Sequence, residues 1–240
     1  MKTVVPDYYN KFHCIAGACQ HTCCQGWEID VDEEKLPCYR AMADIAPHID
    51  ETDTPHFRLT ADERCPFLNR DKLCDMILHH GEDILCQICR DHPRFRSFWT
   101  DRTEIGLGLV CEEAGRLILS QEQPMQLIVL SDDGDTMPMP EDETWLTDYR
   151  NQLLQSVTET GPRARLMEYL IYRHLPDALY DGRLDERMAF VAQSFREIID
   201  AWTQTDGSID ALVECARAWS YDVEYDDEEL ERRLSALEKE

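Results

Sequence analysis

The residues of this chain best suited to chemistry are its cysteines. Ten fall at positions 14, 19, 23, 24, 38, 65, 74, 86, 89 and 111, and an eleventh stands at 215. They form two groups, Cys14-x4-Cys19-x3-Cys23-Cys24 and Cys65-x8-Cys74-x11-Cys86-x2-Cys89, closed by Cys111. The opening Met-Lys-Thr-Val-Val-Pro-Asp-Tyr-Tyr-Asn has no apolar h-region, which argues against a secretory signal and for a reducing, cytoplasmic setting. There, such a density of thiols points to metal ligation rather than disulfides. Thiolate is a soft ligand, suited to zinc or to an iron–sulfur cluster. A bound metal would also staple segments too short to build a large core. His13, His21, His79, His80 and His92 lie near cysteines and are spare donors, although for each alone a surface role is commoner. Cys38 lies mid-helix without a cysteine neighbour, and Cys215 reads as a small buried hydrophobe. Cys86-x2-Cys89 has the spacing of a redox dithiol without the neighbours of a thioredoxin site.

The elements that must position these thiols are short. Trp27–Val31 alternates apolar and polar residues, a strand signal. Asp32 is placed to cap a helix carrying Leu36, Tyr39, Met42 and Ile45 on one face. Residues 73–80 and 82–89 read as two short helices separated by Gly81. Arg94–Trp99 and Glu104–Val110 pair as a hairpin, and Glu112–Leu119 resumes a helix. Further on, Trp145, Tyr149, Leu153 and Val157 repeat at helical spacing, as do Leu184, Met188, Val191, Phe195, Ile198 and Trp202. Gly161-Pro162, Asp181-Gly182 and Asp206-Gly207 punctuate this run as turns. Ser131–Glu143 reads as a polar linker, and Asp226–Glu240 as a charged segment docked by Leu230, Leu234 and Leu237. The fold expected is α+β and predominantly α-helical. A small Cys-rich metal-binding module (1–125) packs on an acidic helical C-terminal region (126–240).

Charge narrows the partners. The 240 residues carry 24 basic and 49 acidic side chains, a net charge of −25. Residues 1–111 contribute −7 (12 basic, 19 acidic) and residues 112–240 contribute −18 (12 basic, 30 acidic). Nucleic acid is excluded as a partner, since phosphate binding needs a basic footprint. No run approaches the ~18 apolar residues of a membrane span. An acidic surface serves solubility or tolerance of high salt more often than recognition, but it suits a basic protein partner as well.

The joint pattern Tyr8-x3-Phe12-x-Cys14-x4-Cys19-x3-Cys23-Cys24-x-Gly26-Trp27-x-Ile29 resembles the opening of the flagellin lysine-N-methylases. Cys65-Pro66-Phe67-Leu68, Leu73-Cys74, Gly81-Glu82-x2-Leu85, Cys89-x3-Pro93-Arg94 and Cys111-Glu112-Glu113-Ala114-x-Arg116 extend the resemblance to residues 8–120. It implies transfer of a methyl group from S-adenosylmethionine to lysines of flagellin, or another lysine-bearing protein, by a protein carrying an iron–sulfur (4Fe–4S) cluster. The positions it marks as metal ligands are Cys14, Cys19, Cys23, Cys24, Cys65, Cys74, Cys89 and Cys111, with zinc as the alternative metal. Cys38, Cys86 and Cys215 fall outside the motif. No glycine-rich cofactor loop is evident, Gly106-Leu107-Gly108 being the nearest. Tyr8, Tyr9, Glu28 and Glu82 are candidates for a proton acceptor only through their place beside motif cysteines. The other reading is a noncatalytic metal-binding module whose acidic helices bind a basic partner.

Overall fold

A computed structural model describes residues 1–134 and 137–238 and divides them into two compact units, Cys14–His92 and Met1–His13 with Pro93–Glu240. In chain order the first strand is β1 (Lys2–Pro6), built on the β-branched Thr3, Val4 and Val5. Helix α1 (Leu36–Arg40), the two-residue strands β2 (Ile49–Asp50) and β3 (His56–Phe57), and helices α2 (Asp75–His80) and α3 (Gln87–Asp91) follow in Cys14–His92, beside single 3-10 turns at Ala16–Ala18, Ala46–His48 and Glu82–Ile84. The other unit resumes with β4 (Arg94–Phe98), β5 (Arg102–Leu107), α4 (Glu112–Leu119) and β6 (Leu127–Asp132). Helices α5 (Glu141–Ser156), α6 (Pro162–His174), α7 (Ala178–Asp181), α8 (Leu184–Thr203), α9 (Ile209–Val223) and α10 (Asp227–Leu237) complete it. The protein is therefore a helix-rich α+β fold, and no described helix is long and apolar enough to cross a membrane.

The larger unit carries a sheet in the order β4-β5-β1-β6. The expected hairpin is present, with Phe95 opposite Gly106 and Ser97 opposite Glu104. Strand β1 lies parallel to β5 and antiparallel to β6, with the register to β6 slipping between Thr3 and Val4. Edge strand β6 leaves Ile128, Val129 and Leu130 exposed. Its first two linker positions, Ser131 and Asp132, are strand, while Glu141–Glu143 open α5. The linker expected over Ser131–Glu143 is thus shorter, and its Asp135 and Thr136 lie outside the described residues.

The helices bury Leu107, Leu109, Ile118, Tyr169, Leu175, Phe190, Ile198, Leu212 and Trp219 in one core. The turns expected at Gly161, Gly182 and Gly207 all use a positive φ, as glycine allows. In α10 Leu234 is buried, and Leu230 and Leu237 pack beside it. Helix α5 departs from expectation at Trp145. Trp145 is 56% exposed, its ring stacked on Tyr149 at 5.3 Å, and the buried side chains are Leu146 and Arg150. An ion pair turns the face: Arg150 donates two hydrogen bonds to Glu104, at 2.7 and 2.8 Å, with both side chains about 1% exposed. Arg102 Nε donates to the same carboxylate at 2.7 Å, and both guanidiniums lie over the Trp99 ring. Tyr149, Leu153 and Val157 of the expected stripe still pack against the core, and the buried guanidinium beside them is tolerated because it is paired.

Candidate functional site

Cys14–His92 has little regular structure and is held by side chains that bind backbone. Asp32, expected as the cap of α1, instead holds the turn before it, since the N-cap is Lys35: Oδ1 accepts from Lys35 N at 3.0 Å and Oδ2 accepts from Gln87 N at 2.6 Å. Tyr39 Oη donates to Ile84 O and Lys35 Nζ to Asp83 O, both at 2.5 Å. Residues 32–39 therefore fix the 83–87 segment, and with it Cys86, by three hydrogen bonds. The expected helical face survives in Leu36, Tyr39 and Ile45, although the helix itself ends at Arg40. The strand expected at Trp27–Val31 is reduced to a single bridge, Asp30 to His56.

The first cysteine group is tied to the second in two places. Lys72 Nζ donates to Cys19 O at 3.1 Å and to Gln20 O at 3.2 Å. A side chain at Gly17 would put its Cβ 2.7 Å from Asp71 O, so only glycine lets the 14–24 arm approach this loop so closely. Cys65 N then donates to Cys24 O at 2.8 Å, next to the Gln25–Arg64 bridge. Trp27 Nε1 donates to Cys23 O at 2.7 Å, and its ring stacks on His92. Asn69 closes the turn before Cys74: Oδ1 accepts from the backbone of Asp71 and Leu73, and Nδ2 donates to Asp75 Oδ1 at 2.8 Å.

These constraints bring together Cys24, Cys65, Cys74, Cys86 and Cys89, all of them unbridged thiols. Cys65 feels the charge of Cys24, Cys74 and Cys86, and Cys89 that of Cys86, Cys24 and Cys65. Cys65 is 7% exposed and Cys86 1%. Burial pushes Cys65 up to about 12 and raises Cys74 as well. A hydrogen bond from Cys23 brings Cys24 down to about 7 against the cost of burial. The Cys89 S–H bonds to Cys86, which lowers Cys86 and holds the Cys89 proton far above the ordinary thiol range. Burial and these same sulfurs raise the Tyr39 phenol. Crowded, desolvated thiols suppress one another's ionisation, and a bound cation would reverse that.

Four of the eight expected ligands, Cys24, Cys65, Cys74 and Cys89, are thus neighbours, and Cys86 is among them; within the described residues they form no preformed metal site. The CxxC spacing of Cys86 was the signal: at the cap and third position of α3 the two thiols fall on one side of the helix. Cys14 is exposed, with Ala16 N donating to its sulfur at 3.4 Å, Cys23 reaches Cys24, and Cys19 is half-exposed. Cys111 belongs to the other unit, at the cap of α4 and packed against its core. Cys38 is exposed, 3.9 Å from Met42 Sδ, and Cys215 is half-buried on α9. Among the described residues no group of three or more His, Cys, Asp or Glu side chains is placed to hold a metal ion.

The proton-acceptor candidates are dispersed. Tyr8 is buried in the larger core, which raises its phenol, and Tyr9 Oη accepts from Arg94 Nε at 2.8 Å. Glu28 stands 3.5 Å from His56, and Glu82 is exposed. The glycines nearest a cofactor loop serve packing: a Cβ on Gly106 would enter the Phe95 ring, and Gly108 N donates to Pro93 O.

A helix-rich α+β protein with a cluster of unbridged thiols is the class these features define. The chain is 28% identical over 138 residues to a lysine-N-methylase of Salmonella choleraesuis, covering 51% of this chain and 33% of that one. It is 27% identical over 138 residues to a lysine-N-methylase of Salmonella typhimurium, with the same coverage. To the flagellar biosynthetic protein FliU of Salmonella muenchen it is 27% identical over 138 residues, 79% of that protein. Over about half of its length the chain is thus similar to proteins named lysine-N-methylase and to FliU. The match spans about a third of the length of the two lysine-N-methylases. No family model and no solved structure matches the chain.

Proposed function

We propose that this protein acts in the cytoplasm as a protein-lysine N-methyltransferase on flagellin, with S-adenosylmethionine as donor and an iron–sulfur cluster held by its cysteines. The observation that carries the reading is the match over half of the chain to proteins named lysine-N-methylase. In the reaction a neutral lysine Nζ attacks the methyl carbon. A C–N bond forms, the C–S bond breaks, S-adenosylhomocysteine leaves, and the methylated amine sheds its proton. This is a polar displacement that needs no electron source, so its demands are a deprotonated amine and near-attack alignment.

The donor chemistry of the thiol cluster fits an iron–sulfur group, for which four thiolates suffice, with zinc the alternative. Cys24, Cys65, Cys74 and Cys89 are the members of the implied set that would hold it, with Cys86, which lies outside that set, beside them; Cys14, Cys19, Cys23 and Cys111 are the other positions the resemblance implies. When bound, such a cluster supplies a rigid anchor for the loops that carry its ligands. A second reading, a noncatalytic metal-binding module that docks a basic protein, draws its support from the net charge of −25.

Anaerobically purified protein, with iron, zinc and sulfide quantified together, tests both readings. Incubation with S-adenosylmethionine and flagellin of the same cell should add methyl groups to flagellin lysines, read by mass spectrometry. Metal-replete protein that neither binds S-adenosylmethionine nor methylates flagellin would overturn the enzyme reading. Stoichiometric zinc without sulfide, from iron-replete cells, would overturn the iron–sulfur assignment.

A further inference from the structure

Cys14–His92 contains a cleft of about 180 Å³ whose wall includes Asp44, His48, Phe67, Asp75, Met76 and His79. Its floor is apolar and fixed: Phe67 is 7% and Met76 3% exposed, and Phe67 packs edge-on against His48 at 5.2 Å. Both of its carboxylates are held in place by neighbours. His80 Nε2 lies 2.7 Å from Asp44 Oδ2, and Asn69 Nδ2 donates to Asp75 Oδ1 at 2.8 Å. Size decides what can enter. Pockets for drug-sized ligands run to about 300–1,000 Å³, so S-adenosylmethionine is too large. A volume of about 150 Å³ takes a benzene-sized group, so one side chain fits.

From the cleft's size, its buried Phe67 and Met76 and its two carboxylates, we infer that it receives a cationic lysine side chain of a protein substrate. The aliphatic stem would lie along Phe67 and Met76, and the ammonium would meet Asp44 and Asp75. Ring faces attract cations, and carboxylates bind ammonium by charge-assisted hydrogen bonds. The inference deepens the methylase reading by naming where its substrate is held, and it rests on that reading for the identity of the lysine.

The whole, metal-replete protein is titrated with a lysine-containing flagellin peptide and with the same peptide acetylated at Nζ. Binding is followed by calorimetry and by the imidazole NMR signals of His48 and His79. The unmodified peptide should bind, shift those signals, and lose about tenfold in affinity in Asp44→Asn and again in Asp75→Asn. Asp44 is exposed, so Asp44→Asn should keep the wild-type circular dichroism and leave S-adenosylmethionine affinity unchanged. Equal affinity for the acetylated peptide, or an unchanged Kd in Asp44→Asn, overturns the cleft. Charge-dependent binding without methyl transfer leaves the cleft standing and removes the enzyme. Methyl transfer with an unchanged KM in both variants does the reverse.

Discussion

Individual residues divide the cysteines by what surrounds them. Cys86 and Cys24 sit within the thiol cluster, whereas Cys38 and Cys215 do not. Cys86→Ser and Cys24→Ser should each weaken metal retention in chelator competition by about tenfold or more, since changes even beyond the ligands cost that much. Cys38→Ser and Cys215→Ser should leave metal content unchanged, and equal loss in all four would mean general instability. Cys86 was legible as a CxxC partner but not as a member of the family pattern; its position is set by Asp32 and Tyr39, about 50 residues upstream. In the other unit, Arg150→Ala strips one partner from the buried Glu104. Urea unfolding should show a loss of about 3 kcal/mol, the lower end for a broken buried pair because Arg102 remains.

Among the elements, local pattern was readable and distant pairing was not. The hairpin of β4 and β5 and helix α4 follow from alternation and periodicity within about 20 residues. Strands β1 and β6 were missed because Val4 finds Val129 and Val5 finds Ile128 more than 120 positions away. Conversely, the alternation at Trp27–Val31 has too short a partner segment to become more than a bridge. The turn leading into α1 carries a prediction of its own. Asp32 serves both that turn and the start of α3, so Asp32→Ala should cost about 1–2 kcal/mol, the price of a lost cap. Hydrogen exchange should then quicken around Gln87–Asp91 while α8 and α9 keep their protection.

For the whole molecule, metal and pH should act on different units. If Cys14–His92 holds the proposed cluster, chelation should raise hydrogen exchange throughout it, because metal binding would then contribute folding free energy. Retention of full protection after metal removal would count against that role. In the larger unit His174 is buried and donates through Nε2 to Glu224 at 2.9 Å, within a network that includes Tyr169 and Ser220. Burial lowers its pKa, so below about 6.5, the value for free imidazole, the unfolded chain binds the extra proton. Its stabilising contribution is full above that pH and is lost as pH falls toward the depressed folded value. Thermal melts from about pH 7 to about pH 5 should decline less steeply in His174→Gln than in the wild type.

Strand β6 bears on how the protein behaves in concentrated solution. Ile128, Val129 and Leu130 are 38%, 57% and 45% exposed on the outer strand of the described sheet, the arrangement that invites a second strand to add. The register slip opposite Thr3 and Val4 and the following Asp132 and Asp133 oppose such stacking, and a charge of −25 keeps molecules apart. Near the isoelectric point of about 4.5 that repulsion vanishes while the exposed strand remains. Colloidal stability should therefore fail before the fold does, and light scattering should rise on acidification. A lysine at Val129 should suppress the rise without altering the melting curve at neutral pH.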